Sequence, residues 1–203
     1  MNIDISNLAP AQIYHLMIQT VIPRPIAWVL TDSGEANYNL APFSYFAPIG
    51  SSPPLLMFSA GKKPTDEVKD TVRNSLETKK MVIHIAAVGS AYALTQTSAT
   101  LEHGQSEVAD NELKLVAFKG FDMPRLEDCP IAFGCSLYEV KEIGDTPQSL
   151  VFAQIERVYL SPGLIDQKSE RLKIDALSVN PLSRLGGSQY AVLGKTFAVD
   201  RPR

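Results

Sequence analysis

The stretch from residue 37 to residue 74 constrains the fold of this chain more than any other. It reads NYNLAPFSYFAPIGSSPPLLMFSAGKKPTDEVKDTVRN. Aromatic and small residues are followed by a Pro-Pro break, by an apolar run over 55–59 that predicts a buried strand, and by a two-piece helix predicted over 65–79. Short polar residues at a strand end, and a threonine at a helix start, leave backbone N–H groups free to face an anion. The stretch therefore predicts an anion site beside flat apolar side chains.

The helical end of this stretch supplies the charge. Thr71 is predicted as the N-cap of the second helical piece, and Lys69 stands just before it. Together with the free N–H groups, the lysine can neutralise a phosphate dianion. The alternative is a solvated basic residue in front of an ordinary capped helix.

The aromatic end has two kinds of residue. Phe43 and Phe46 are predicted to pack in the core. Asn39 and Ser44 need hydrogen-bond partners if they are buried. A phosphate site beside a planar ring is what flavin mononucleotide (FMN) requires.

Most of the remaining chain predicts β-structure. Residues 26–40 are expected to form a β-hairpin, since IAWVLT is followed by the turn residues DSGE and a return strand. Arg24 precedes this hairpin between two prolines, and it either contacts a phosphate or ring edge or caps one end of a barrel. Further strands are predicted over 81–87, 129–140 and 150–160, with a turn over 144–147.

Short helices are predicted over 10–19, 90–100 and 108–115, with a loop over 102–107. An Arg/Lys-rich loop and a short strand are expected after Gly163. We expect one domain over residues 1–203.

Composition excludes several classes of protein. The formal net charge of −3 and the pI near 5.6 do not provide the basic face that nucleic-acid binding usually requires. No apolar run approaches the length of about 20 residues that a membrane span needs, and the N-terminus does not have the pattern of a signal peptide. A cytoplasmic location is therefore expected.

Cysteine and histidine do not indicate a metal site. Cys129 and Cys135 lack a zinc-ligand spacing and are expected to be buried thiols. His84 is expected to be a hydrogen-bonded core residue, and His15 to lie at the surface or in packing. His103 is expected in a solvated loop, with a catalytic role as the alternative.

Four motifs in this order resemble the flavin reductase-like family, most closely its flavoredoxin-like branch. They are PRPIAWVLT at 23–31, NLAPFSYF at 39–46, KDTVRN at 69–74 and RLGGSQYAVLG at 184–194. The resemblance implies a mainly β fold with flanking helices, a six-stranded Greek-key split β-barrel that binds FMN. It also implies a homodimer with flavin near the subunit interface.

The resemblance also implies which residues bind the cofactor. The isoalloxazine ring would be lined, mainly through backbone groups, by Asn39, Leu40, Ala41, Pro42, Phe43 and Ser44. The ribityl chain and phosphate would be held by Ser59, Lys69, Asp70, Thr71 and Asn74. A C-terminal segment, from this chain or its partner, would close over the flavin with Arg184, Gly186, Gly187 and Tyr190.

Three functions remain open at this point. In the first, NADH or NADPH passes hydride to flavin N5, and the reduced flavin then hands electrons on, so no catalytic side chain or metal is needed. In the second, FMN carries electrons between redox proteins, as in flavoredoxins. In the third, the chain is a non-enzymatic flavin-binding module. Related reductases often carry a histidine segment in the C-terminal third at the nicotinamide site, which this sequence does not have.

Overall fold

The computed structural model describes residues 1–35, 37–63, 65, 67–145, 147–165, 172–200 and 202. Its α-helices are α1 (Pro10–Thr20), α2 (Asp70–Thr78), α3 (Ala91–Gln96), α4 (Glu107–Asp110) and α5 (Ala176–Val179), and its 3₁₀ turns are Ile5–Asn7 and Val88–Ser90. Its strands are β1 (Arg24–Pro25), β2 (Ala27–Asp32), β3 (Tyr38–Phe43), β4 (Phe46–Ser51), β5 (Pro54–Ala60), β6 (Lys80–Ile85), β7 (Leu115–Val116), β8 (Arg125–Leu126), β9 (Ile131–Ile143), β10 (Gln148–Leu160), β11 (Ser183–Arg184) and β12 (Tyr190–Ala191).

One antiparallel sheet of seven strands dominates the fold, in the order β3-β2-β6-β9-β10-β5-β4. The sheet curls, so that Phe43 on β3 and Phe58 on β5 meet with ring centroids 4.9 Å apart although four strands separate them in the sheet. This contact confirms the predicted core position of Phe43. The mainly β class is confirmed, but the sheet has seven strands rather than the six expected.

Alternation along the strands separates two cores. Val29, Phe58 and Met81 point into the curled sheet, together with Val72 of α2. Trp28, Leu30 and Val82 point to the other face, where α3 and α4 cover them. Because both faces of β2 and β6 are buried, their sequences are continuous apolar runs, and these runs predicted the hairpin and the strand over 81–87.

His84 lies on β6 facing the second core and is fully buried. Its Nδ1–H donates to the Trp28 carbonyl at 3.0 Å, and its Nε2 accepts from the Leu126 N–H at 3.0 Å. Burial lowers the pKa of this imidazole to about 4. The prediction of a satisfied core histidine is confirmed.

Both cysteines are free and buried, as predicted. Burial raises the pKa of Cys129 to about 12 and raises the pKa of Cys135 as well. Thiols in this state are not nucleophilic at neutral pH.

Two predictions of local structure were wrong, and one strand was not predicted. No helix forms over residues 67–69, where part of the first helical piece was expected, because Lys62 and Val68 form a β-bridge and α2 begins only at Asp70; Asp66 lies outside the described residues. The N-cap is therefore Lys69, and Thr71 is the second helical residue. Strand β4 was not predicted, because its sequence FAPIGS contains a proline and a glycine, which usually argue against a strand. Both are tolerated here because β4 is an edge strand.

Parts of two predicted loops lie outside the described residues. They are Thr146 in the turn over 144–147 and residues 166–171 in the Arg/Lys-rich loop. Beside this loop the short predicted strand is reduced to one bridge between Ile165 and Ile174.

Candidate functional site: two cavities along the edge of β3

Strand β3 is an edge strand, and α4 covers only the first part of its free edge. The Ser106 hydroxyl donates to the Tyr38 carbonyl at 2.5 Å, and the Glu107 carboxylate accepts the Leu40 N–H at 2.9 Å. Alternate residues of β3, namely Tyr38, Leu40 and Pro42, direct their backbone groups toward the free edge, and Pro42 has no N–H to donate. The part of the edge that follows Leu40 is therefore not covered by α4, and two adjoining cavities lie along it.

The first of these, the lysine cavity, lies between β3, the start of α2 and the loop after α3. It encloses about 470 Å³, part of it open to solvent, and is lined by residues 97–101 and by Asn39, Ala41, Pro42, Lys63, Lys69, Asp70, Thr71 and Glu107.

The start of α2 makes the lysine cavity suitable for an anion. Within the described chain, no side chain caps this helix, and its first two residues, Asp70 and Thr71, line the cavity, so their N–H groups are without side-chain acceptors. Burial lowers the pKa of Lys69, and the neighbouring charge of Lys63 lowers it further. The charged form of a lysine whose pKa is lowered in this way is stabilised when an anion lies beside it.

Asp70 balances part of this positive charge. Its carboxylate lies 2.7 Å from Lys63 Nζ, 3.0 Å from His103 Nδ1 and 3.3 Å from an Arg73 nitrogen. Burial raises the pKa of Asp70, but the hydrogen bonds from Lys63 and His103 outweigh this effect and the net pKa is lowered. His103 lies in an exposed loop, as expected, and in addition has a defined partner at the rim.

A buried polar network ties α2 to the β2–β3 hairpin. Asn39 Nδ2 donates to the hydroxyls of Thr71 (2.9 Å) and Thr31 (3.3 Å). Asn74 Nδ2 donates to the hydroxyls of Thr31 (3.2 Å) and Ser33 (2.9 Å). The side chains of Thr71 and Asn74 thus hold the helix start in place beside β3.

The second, or tyrosine, cavity adjoins the lysine cavity and shares Pro42 and Ser98 with it. Its other lining residues are Ile26, Ser44, Leu94, Thr95, Arg184 and Tyr190. A strap over residues 183–191, formed by β11 and β12, closes one side. The Tyr190 hydroxyl lies 2.9 Å from Thr95 Oγ1, and the Arg184 guanidinium stacks 4.5 Å from the Tyr190 ring centroid. The strap reaches this cavity within the same chain.

Arg24 stabilises the strap through a hydrogen bond to the Leu185 carbonyl. Its guanidinium is buried and donates to the carbonyls of Ile18 (2.6 Å), Val21 (2.8 Å) and Leu185 (2.8 Å), and to the Ser44 hydroxyl (3.3 Å). Of the two roles open from the sequence, this geometry favours the structural one, because these carbonyls already occupy the guanidinium.

The structure brings together only some of the residues expected to bind a cofactor. Six line the lysine cavity: Asn39, Ala41, Pro42, Lys69, Asp70 and Thr71. The tyrosine cavity has Pro42, Ser44, Arg184 and Tyr190. Seven line neither cavity: Arg24, Leu40, Phe43, Ser59, Asn74, Gly186 and Gly187.

These seven have other surroundings in the structure. The side chains of Leu40 and Phe43 are buried in the two cores. The Ser59 N–H donates to the Tyr45 carbonyl at 2.8 Å. Gly186 and Gly187 line an open groove against α1 with His15 and Gln19, which places His15 at the surface.

Sequence reasoning missed three parts of the site. Lys63 and residues 97–101 carry no motif, and Glu107 was read as part of a loop. The one local signal was Ser106, whose hydroxyl accepts from the Ala109 N–H as a helix N-cap.

Comparison with known proteins now assigns the family. The profile of the Flavin reductase like domain matches residues 19–174. The chain belongs to this family. The resemblance inferred from the four motifs is thereby confirmed.

Solved structures of flavin reductase-like proteins have the same fold. Nitrilotriacetate monooxygenase component B from Bacillus cereus is 30% identical, with a TM-score of 0.89 over 98% of both chains. The 2-nitrobenzoate 2-nitroreductase of Pseudomonas fluorescens is 29% identical, with a TM-score of 0.86 over 100% of this chain and 96% of that one. A Shewanella frigidimarina protein with a split barrel domain is 18% identical, with a TM-score of 0.85 over 100% of both chains, which confirms the split-barrel fold.

Family and relatives together support a flavin-related oxidoreductase. Within the described residues, no group of three or more His, Cys, Asp or Glu side chains is placed to hold a metal ion. None of the helices in that part of the chain is long and apolar enough to cross a membrane.

Proposed function

We propose that this flavin reductase-like protein binds FMN along the edge of β3 and catalyses its reduction by NADH or NADPH. The observation that carries this proposal is the adjacency of two unlike cavities. One has two lysines and an uncapped helix N-terminus, and the other has a tyrosine, a proline and small side chains. FMN has the same division between a phosphate and a planar ring.

The lysine cavity would hold the phosphate. Lys69 and Lys63 would supply positive charge, and the first N–H groups of α2 would donate hydrogen bonds. Asp70 would keep Lys63 in place through their 2.7 Å ion pair. Thr71 would act through Asn39, since the 2.9 Å bond between them fixes the start of the helix.

The tyrosine cavity would hold the ring. Pro42 and Tyr190 offer flat surfaces, and Ser44 and Thr95 offer hydroxyl groups. The strap would shield this side from water through the contact between Tyr190 and Thr95. Bound FMN would supply the redox chemistry by accepting hydride at N5, while the protein orients it and controls access.

We further propose that the chain acts as one domain in a cytoplasmic homodimer. An apolar groove runs between α1 and β4 and is lined by side chains that include Met17, Val21, Phe46 and Met57. The C-terminal arm over 192–200 exposes Phe197 and Val199 by 88% and 80%. Association of two copies would bury such surfaces. Free cysteines are typical of a reducing compartment.

The test is an absorbance spectrum of the purified protein after addition of FMN and desalting, repeated after anaerobic addition of NADH and of NADPH. Flavin bands that bleach with one nicotinamide would support the reductase and identify its donor. Bands that persist with both would contradict it and favour an electron carrier or a flavin-binding module. The absence of bands would overturn FMN binding itself.

A further inference from the structure

Arg24 has an unusual position for a buried cation. Its residue is only 5% exposed, and it forms no ion pair with a carboxylate among the residues that the structure describes. Carbonyl oxygens of Ile18 and Val21, at the C-terminal end of α1, compensate its charge instead. The side chain is therefore held firmly in one orientation.

This orientation fixes the hydrogen-bond polarity of Ser44. A guanidinium can only donate hydrogen bonds, whereas a hydroxyl can both donate and accept. In the 3.3 Å contact between Arg24 Nε and Ser44 Oγ, the serine oxygen must therefore accept. The hydroxyl hydrogen of Ser44 remains available to donate to another group.

Among the described residues, no backbone or side-chain atom accepts that hydrogen. Across the described ranges, Ser44 Oγ donates to no backbone or side-chain atom, whereas Ser98 Oγ in the same cavity donates to the Thr95 carbonyl at 2.6 Å. Ser44 also borders the apolar groove, whose walls there are Tyr45, Phe46 and Met57. A group that occupies the tyrosine cavity can therefore supply the acceptor.

We propose that Ser44 donates a hydrogen bond to a carbonyl oxygen of the bound flavin ring, and that Arg24 is the positioning residue that enforces this direction. The inference rests on the proposed function, because it requires the ring in the tyrosine cavity. A donor at such an oxygen binds the reduced ring more tightly than the oxidised ring, since electron density on the carbonyl oxygens rises on reduction. Ser44 thus favours the reduced flavin.

The experiment measures the dissociation constants of oxidised and of reduced FMN for the full chain and for Ser44→Ala and Ser44→Thr. We expect Ser44→Ala to weaken reduced FMN about tenfold more than oxidised FMN, which corresponds to a midpoint potential lower by about 30 mV for a two-electron couple. Ser44→Thr keeps the hydroxyl and should retain the wild-type ratio. Ser178→Ala, an exposed serine on α5, is the matched control.

Arg24 is tested by a double-mutant cycle. Arg24→Met should lower the potential in the wild-type background and have no further effect on it in the Ser44→Ala background. An effect of the same size in both backgrounds would show that Arg24 acts by another route and would overturn its role. If Arg24→Met does not fold, the two Ser44 variants still decide the role of the serine.

The outcomes separate the two proposals. Wild-type protein that binds FMN, together with equal losses of both FMN forms in Ser44→Ala, would overturn this inference and leave the proposed function standing. A Ser44→Thr variant that weakens reduced FMN as selectively as Ser44→Ala would likewise overturn this inference and leave the proposed function standing. Wild-type protein that binds neither form would overturn both.

Discussion

The Glu107 carboxylate accepts the Leu40 N–H at 2.9 Å, across 67 residues of sequence. This bond takes the place of a neighbouring strand at the edge of β3, directly before the part of the edge that lines the two cavities. Burial raises the pKa of Glu107 above its ordinary value, although the Leu40 N–H opposes that change. The buried carboxyl group of Glu107 thus provides the acceptor for an N–H group at the edge of the sheet.

Replacing this carboxyl group should loosen the edge. We expect Glu107→Ala to lower the free energy of unfolding by about 1–3 kcal/mol, because the Leu40 N–H loses its partner in a buried place. Urea denaturation measures the change. Glu107→Gln keeps an acceptor oxygen and should recover most of the loss, and Asp110→Ala, an exposed change on the same helix, should have little effect. Equal losses in Glu107→Ala and Asp110→Ala would show that the bond to Leu40 is unimportant.

The lysine cavity can be tested by comparing FMN with riboflavin, which lacks the phosphate. Lys69→Ala should weaken FMN binding by about 1–3 kcal/mol, the scale of a lost charge-assisted hydrogen bond, and leave riboflavin binding unchanged. Titration followed by flavin fluorescence gives both affinities. The exposed Lys119→Ala variant serves as control. An equal loss of affinity for FMN and riboflavin would show that the phosphate does not bind at Lys69.

Gly186 lets the strap approach α1 closely. A Cβ atom at this position would lie 2.6 Å from Gln19 Cγ, so one of the two segments would have to move. We expect Gly186→Ala to cost about 1–3 kcal/mol of unfolding free energy and to weaken FMN binding, because the strap also carries Tyr190. Thermal denaturation and FMN titration measure the two effects.

A second substitution identifies the cause of this loss. Gln19→Ala removes the atom that would clash and should restore Gly186→Ala when the two are combined. Gly194→Ala, where no atom lies within 4 Å of an added Cβ, should be neutral. A double variant as unstable as Gly186→Ala would show that the clash with Gln19 is not the cause.

His84 makes the stability of the protein depend on pH. Its pKa falls from 6.5, its ordinary value, to about 4 in the folded state, so the unfolded chain binds the proton more readily over this range. The contribution of His84 is therefore complete above pH 6.5 and is lost as the pH falls toward 4, by about 3 kcal/mol at most.

Urea denaturation at several pH values between these limits tests the prediction. His84→Gln should be less stable than wild type at pH 8, and its loss of stability on acidification should be smaller. His15→Asn changes an exposed histidine and should keep the wild-type profile. A wild-type profile in His84→Gln would assign the pH dependence to other groups.

Several elements of the fold could be predicted from the sequence because their signal is local. The β-branched and apolar runs of β2 and β6 predicted those strands, and the hairpin between β2 and β3 followed from the turn residues at 32–35. The helix starting near Lys69 was also expected, but its first residue was not, because the bridge between Lys62 and Val68 competes with the helix for the residues before it.

By itself, the sequence determined the long central strands β2, β6, β9 and β10, the order of the four motifs and hence the family. Only the tertiary structure decided which side chains meet: Glu107 with Leu40, Lys63 with Asp70, and Arg24 with the Leu185 carbonyl 161 residues away. It also placed Asn74 in the network under α2, outside both cavities. The physical reason is that strand patterns and turns depend on neighbouring residues, whereas a charge or a polar group acquires its partner only when distant segments pack together.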